Sequence, residues 1–170
     1  MLWWLPLLPL LGGVLLFISR RDRRAVLVTA ATSLCVATLL LAIFALVGQW
    51  QGSYTWSALI ELRLGWSTAG GVFALAVPLV AAPIVAYAGL HEATGTARER
   101  RDTARLVALM LVFVGAMELL VLAADLLTLL IAWEIVGACS WALIAHQWSA
   151  VNNVRHAHWA FLVTRAGDLG

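Results

Sequence analysis

The sequence predicts an all-α, polytopic membrane protein, and composition and the layout of the apolar residues both point to it. Of 170 residues, 63% are hydrophobic and only 12% are charged, with a mean hydropathy of +0.94. A water-soluble domain carries about a quarter of its residues as charges. The apolar residues also run in blocks suited to a hydrocarbon layer roughly 30 Å thick. Charge interrupts these blocks at only a few places, so the chain divides into spans.

The first block, 2–19, contains Pro6, Pro9, Gly12 and Gly13 and is followed by Arg20, Arg21, Asp22, Arg23 and Arg24. A secretory signal carries its positive charge before the apolar stretch. The reversed order predicts a retained helix. A second span covers about 25–49, followed by a polar segment from Trp50 to Gly65 whose only charges are Glu61 and Arg63. The third, about 66–90, contains Pro78 and Pro83, which a membrane helix tolerates as kinks. After a charged segment from His91 to Asp102, the 43 residues from Ala104 to His146 are almost unbroken in their apolarity. That is about twice one crossing of roughly 20 residues, so the block is expected to fold as two helices, 104–123 and 126–147. Asp125 is the expected turn, because its side chain can cap the following helix. A sixth span starts near His156 and reaches Gly170 after about 15 residues, short of the roughly 20 that a crossing requires. The expectation is five complete transmembrane helices and the start of a sixth at 156–170, in a chain that is a piece of a longer protein.

In this partition Arg20, Arg21, Arg23, Arg24, Arg98, Arg100, Arg101, Arg105 and Arg155 fall on one side, and Arg63 alone on the other. The positive-inside bias then places the N-terminus outside. Trp3, Trp4, Trp50, Trp56 and Trp66 gather at outer helix ends, and Trp148 and Trp159 at inner ends. Trp133 and Trp141 remain inside the fifth span as packing residues. Cys35 and Cys139 lie in apolar runs, with no metal or disulfide spacing, and read as small packing residues.

Ionisable groups inside spans must be compensated or must line a polar path. Four stand out: Glu118, Glu134, Arg165 and Asp168. Glu134 lies about eight residues, roughly 12 Å, into the fifth helix. Its face continues through Gly137, Ala138, Trp141 and Ala145, mostly small residues at a spacing that admits a close neighbour helix. Arg165 and Asp168, three apart, can pair on one face, either as a structural clasp or as the first relay of a water path. Glu118, two-thirds along the fourth helix, is deep or interfacial depending on where the hairpin turns. His146, at the inner end of the fifth helix, can exchange protons near neutral pH or be a solvated helix-end residue. The same alternatives hold for His156 and His158.

Two motifs resemble a known family. The run Leu126 to Leu143 carries Trp-Glu-x-x-Gly-x-Cys-Ser as Trp133, Glu134, Gly137, Cys139 and Ser140. Ala160 to Gly170 carries Ala-Phe-x-x-x-Arg-x-Gly-Asp as Ala160, Phe161, Arg165, Gly167 and Asp168. Together, in this order, they are similar to the large antiporter-like membrane subunits. That family includes subunit L (chain 5) of NADH:quinone oxidoreductase, the large subunit of Mrp-type cation/proton antiporters, and membrane subunits of energy-converting hydrogenases. The resemblance is strong over about 116–170. Before that it is weak, with Leu64, Gly65 and Trp66 in place of a Leu-Asp-Gly motif; within it, Trp159 stands where Lys is common and Glu118 where an apolar residue is common.

The resemblance implies an N-terminal region of three helices, 1–103, and the start of a proton-conducting antiporter-like domain, 104–170. It also implies a function: translocating protons for a complex I-like NADH:quinone oxidoreductase, with Glu134 as the ion-pairing carboxylate and Arg165 and Asp168 in its charged network. Glu118 and His146 are secondary candidates. In the family the glutamate pairs with a lysine on a later broken helix, and this chain contains no Lys. Alternatives are a cation/proton antiporter or ion-gradient-driven solute uptake subunit, and a non-conducting scaffold. The expected partners are other membrane subunits, the lipid bilayer, and protons or monovalent cations, with no nucleic acid. The expected location is a bacterial inner membrane. No metal-ligand spacing, nucleotide loop or nucleophile constellation is present, so no cofactor is expected.

Overall fold

A computed structural model describes residues 1–19, 24–57, 60–91 and 96–168. Arg20, Arg21, Arg23 and the end at Gly170 lie outside the described residues, as do the side chains of Arg24, Trp56 and Arg98. Six helices and one hairpin follow in order: α1 (Trp4–Ser19), α2 (Arg24–Val47), β1 (Gly52–Ser57), β2 (Ile60–Leu64), α3 (Thr68–His91), α4 (Ala97–Val121), α5 (Leu126–Ile144) and α6 (Val151–Asp168). Four of them, α2 to α5, are long and apolar enough to cross a membrane, so the protein is a multi-pass helical membrane protein. With 16 residues, α1 is shorter, roughly 24 Å at 1.5 Å per residue.

The structure differs from the sequence expectation in three places. Helix α4 begins at Ala97, seven residues before the apolar block, because Thr96 and Glu99 form a capping box that stabilises a polar first turn. Helix α6 likewise begins at Val151, in the polar linker, rather than at His156. The segment between α2 and α3 is an antiparallel hairpin, with Gly52 opposite Leu64 and Tyr54 opposite Leu62. Its Tyr54, Thr55 and Ile60 favour an extended backbone.

That hairpin ties one end of the bundle together. The Met1 ammonium donates to the Gln51 carbonyl at 3.2 Å. A bridge joins Leu64 to Ala123, Gly65 N–H donates to Leu122 O and Ala124 N–H to Arg63 O, both at 2.9 Å. The expected turn at Asp125 is present as the N-cap of α5. Its carboxylate accepts from Thr128 N–H at 2.8 Å, the Thr128 hydroxyl at 2.5 Å and the Arg63 N–H at 2.6 Å. At the opposite end, Arg105 of α4 donates to the His146 carbonyl at 2.9 Å and pairs with Asp102 at 3.1 Å, and its guanidinium lies 4.0 Å from the Trp148 ring centroid. Successive connections therefore alternate between the two ends.

Burial opposes ionisation of Asp125, but its hydrogen bonds from the Thr128 hydroxyl and from the backbone of Thr128, Arg63 and Leu127 prevail and hold the carboxyl below its ordinary 3.8. A depressed folded-state value means its stabilisation is complete above 3.8 and lost as pH falls through the folded value. Asp125→Ala is expected to cost about 1–2 kcal/mol at pH 7. In thermal melts of the purified protein, its gap from the parent should narrow only in acid, below 3.8.

Packing of α1 on α4 depends on two glycines. A Cβ on Gly13 would lie 2.8 Å from the Ala108 carbonyl, and one on Gly115 would lie 2.7 Å from both Leu10 N and the Pro6 carbonyl. Both obstacles are backbone, so a methyl group there forces the helices apart, a pattern typical of membrane interfaces. Gly115→Ala is expected to cost about 1–3 kcal/mol, read as a lower Tm in detergent. Gly71→Ala, whose nearest atom would be an ordinary 3.5 Å away, serves as the unaffected control.

Candidate functional site

The three leading candidates meet where α5 and α6 cross. Trp133 and Glu134 are consecutive on α5, so their side chains splay about 100° apart, and α6 presents Arg165 and Asp168 to both. The Arg165 guanidinium pairs with the Glu134 carboxylate through Nη1, donates from Nη2 to the Glu134 carbonyl at 3.3 Å, and has Asp168 Oδ2 3.6 Å from Nη1. The other Asp168 oxygen accepts from the Trp133 indole N–H at 3.0 Å. The predicted Arg165–Asp168 pair is thus present as part of a larger chain of contacts, Trp133–Asp168–Arg165–Glu134.

Trp133 was expected only to pack. It is instead a donor, half exposed, that orients Asp168. The signal lay in its place beside Glu134 and in the indole's single N–H, which needs an acceptor inside a membrane. Gly137, one turn along α5, makes room for the cation, since a Cβ there would stand 3.2 Å from Arg165 Nη2. The small-residue face of the WE-x-x-G motif accordingly receives α6, as its spacing predicts. Phe161 lies below the guanidinium at 4.8 Å, and Trp141 packs against His158 and Phe161.

Two carboxylates share one guanidinium, so with all three ionised the cluster carries one uncompensated negative charge. The Arg165 side chain is 23% exposed and that of Glu134 is 59% exposed. The cation is enclosed between the helices while the glutamate opens onto the uncovered flank of α5, beside the exposed Leu130 and Ile131. Such a site can take up one proton or meet one further cation from that flank.

Glu118 and His146 lie elsewhere. Glu118 is fully buried on α4, and neither of its oxygens has a hydrogen-bond partner among the described residues. Helix α4 ends at Val121 and Asp125 caps α5, so Glu118 stands one turn from the hairpin, where neighbouring helices cover it. His146 follows the C-cap of α5, with Nδ1 2.9 Å from the Leu143 carbonyl and Nε2 buried without a partner among the described residues. It belongs to the Arg105 end of the bundle. His158 is held on α6 with Nδ1 2.8 Å from the Val154 carbonyl.

No family model matches the chain. Individual proteins do. The chain is 30% identical over 173 residues to the probable inorganic carbon transporter subunit DabB1 of Halothiobacillus neapolitanus, an alignment covering 98% of the chain and 30% of that protein. It is 29% identical to subunit L of NADH-quinone oxidoreductase from Escherichia coli, over 96% of the chain and 28% of the relative. To subunit L of the F(420)H(2) dehydrogenase of Methanosarcina mazei it is 34% identical, over 69% of the chain and 17% of the relative. The chain therefore spans less than a third of the length of each. The first two alignments span nearly the whole chain, including the α5 and α6 segment in which the two motifs build one charged cluster, and the chain belongs to the family of large antiporter-like membrane subunits.

Proposed function

We propose that this chain is part of a proton-translocating membrane subunit of a complex I-like NADH:quinone oxidoreductase, working through Glu134, Arg165 and Asp168. The observation that carries this reading is the single guanidinium shared by two carboxylates where α6 meets α5, one of the helices long and apolar enough to cross a membrane. Drawing Arg165 toward Asp168 leaves Glu134 uncompensated, and a carboxyl in that surrounding gains by binding a proton; returning Arg165 favours its release. A neighbouring subunit that moves a charge along the open flank of α5 biases this equilibrium, which links a distant energy source to proton movement. His146 has a lesser role, at the inner end where Arg105 and Trp148 meet.

In this reading α1 is a fifth crossing and α6 the start of a sixth. Residues 1–103 are the N-terminal helices, and 104–170 open the antiporter-like domain. The N-terminus and the β1–β2 hairpin face outward from a bacterial inner membrane, and Arg100, Arg101, Arg105 and Arg155 face the cytoplasm. The partners are other membrane subunits and the transported ion is a proton. The test is translocation by the complete complex carrying Glu134→Gln: loss with normal assembly supports the reading, and retained pumping overturns it.

A second reading is that the subunit energises uptake of another solute, favoured by the carbon transporter subunit that aligns with nearly the whole chain. Measuring proton flux with and without a quinone-reducing donor separates the two. Flux that persists without the donor and tracks solute uptake selects the second.

A further inference from the structure

The α5–α6 cluster leaves Glu118 of α4 without a role, and this is the only acidic side chain among the described residues that is fully buried. Both of its oxygens are enclosed and without partners. Glu118 follows Gly115 by three residues and precedes Val121 by three, so the three share one face of α4. Along that face Gly115 abuts the Pro6 carbonyl and Leu10 N of α1, and the Val121 carbonyl abuts Gly70 of α3. Helices α1 and α3 both run opposite to α4. One turn from the Gly115 contact, Glu118 therefore stands level with Leu5, and one turn from the Val121 contact it stands level with Ala74. Leu5, Ala74 and Leu119 share one buried cluster.

Both of those positions have backbone carbonyls that lack their usual donor. In a helix the carbonyl of residue i accepts from the N–H of residue i+4. For Leu5 that residue is Pro9 and for Ala74 it is Pro78, and proline has no N–H. Pro9 and Pro78 are fully buried, so their rings and the carbonyls four residues earlier turn into the bundle. Two under-used carbonyls, on two proline-interrupted helices, thus lie at the depth of one unpartnered carboxyl. A neutral carboxylic acid has one O–H to donate and carbonyls are its natural acceptors; interrupted membrane helices bind protons and cations with freed carbonyls of this kind.

We propose that Glu118, with the carbonyls of Leu5 and Ala74, forms a second, protein-enclosed proton-binding site, separate from the Glu134 cluster. Among the described residues no cation pairs with this carboxyl: Arg100, Arg101 and Arg105 lie more than three turns away on α4 itself, and the Met1 ammonium is held by the Gln51 carbonyl. Among the described side chains of the helices packed on α4, the ionisable groups are Cys35 of α2, Tyr87 and His91 of α3, and Glu134 and Cys139 of α5, with none on α1. Glu134 is engaged by Arg165, and His91 lies at the opposite end of α3 from Gly70. At the outer end Glu61 pairs with Arg63 and Asp125 caps α5. The site does not depend on proton transport through Glu134.

The test is infrared difference spectroscopy, across a pH titration, on the full-length protein in its complex with [13C]glutamate incorporated. The expected result is an isotope-sensitive protonated-carboxyl band at neutral pH. It disappears in Glu118→Gln and persists in Glu134→Gln. Pro9→Ala and Pro78→Ala return an N–H donor to each carbonyl and should move the band to higher frequency, as the acid loses its acceptors. If Glu118→Gln fails to assemble, the parent and the two proline variants decide the matter. No band in the parent, a band lost in Glu134→Gln, or a band indifferent to both proline changes overturns the proposal. So does a band that sodium abolishes at constant pH, which would make the ligand a metal cation.

Discussion

Glu134→Gln in the complete complex is expected to reduce proton translocation at least about tenfold, equivalent to roughly 1.4 kcal/mol, while assembly is preserved. The amide keeps the volume and one acceptor oxygen for Arg165 Nη1 and leaves the bond from Nη2 to the Glu134 carbonyl untouched, so α5 and α6 remain joined. What it removes is the group that alternates between charged and neutral. Arg165 then pairs with Asp168 alone, and the cluster loses its uncompensated charge. Proton uptake by inverted vesicles, measured beside the amount of assembled complex, checks this. A scaffold predicts the opposite pattern: Glu134→Gln harmless and Glu134→Leu damaging to assembly.

Arg165→Ala is expected to be more severe, removing translocation and lowering the yield of assembled complex. It strands two carboxylates that one guanidinium had served, and an uncompensated charge in the hydrocarbon costs about 2.5–3.5 kcal/mol on insertion scales. Trp133 can satisfy only one oxygen of Asp168. Arg165→Lys should assemble and retain part of the activity, because it restores the charge, yet a compact ammonium lacks the planar fork that reaches Glu134 Oε1, the Glu134 carbonyl and Asp168 together. Comparing yield and flux across the three proteins separates the electrostatic role from the geometric one. If Arg165→Ala pumps normally, the shared-cation mechanism is wrong.

Much of the fold was legible along the chain because its signals are local. Hydrophobic runs placed α2 to α5, and Asp125 marked the α4–α5 turn, since a cap acts within three residues of itself. The Thr96–Glu99 box is equally local, but the polar turn it caps carries no apolar signal, so hydropathy places the start of α4 at Ala104. The β1–β2 hairpin was not legible: its residues are polar enough for a loop, and its register is set by Leu64 meeting Ala123 and by Arg63 meeting Asp125, contacts about sixty residues apart. In the site, the motifs named Glu134, Arg165 and Asp168, and spacing paired the last two.

What the sequence by itself determined, then, is a helical membrane protein with acidic and basic groups inside its spans, because transfer of side chains into hydrocarbon is a property of each residue and its near neighbours. Only the tertiary structure decided which charges meet. The rotation of α6 about its axis puts Arg165 on Glu134 and Asp168 on Trp133, and the packing of α1 and α3 on α4 encloses Glu118. Those arrangements depend on Gly13, Gly70, Gly115 and Gly137 admitting a neighbouring helix or side chain at close range, and close approach is a property of pairs of helices that neither one carries alone.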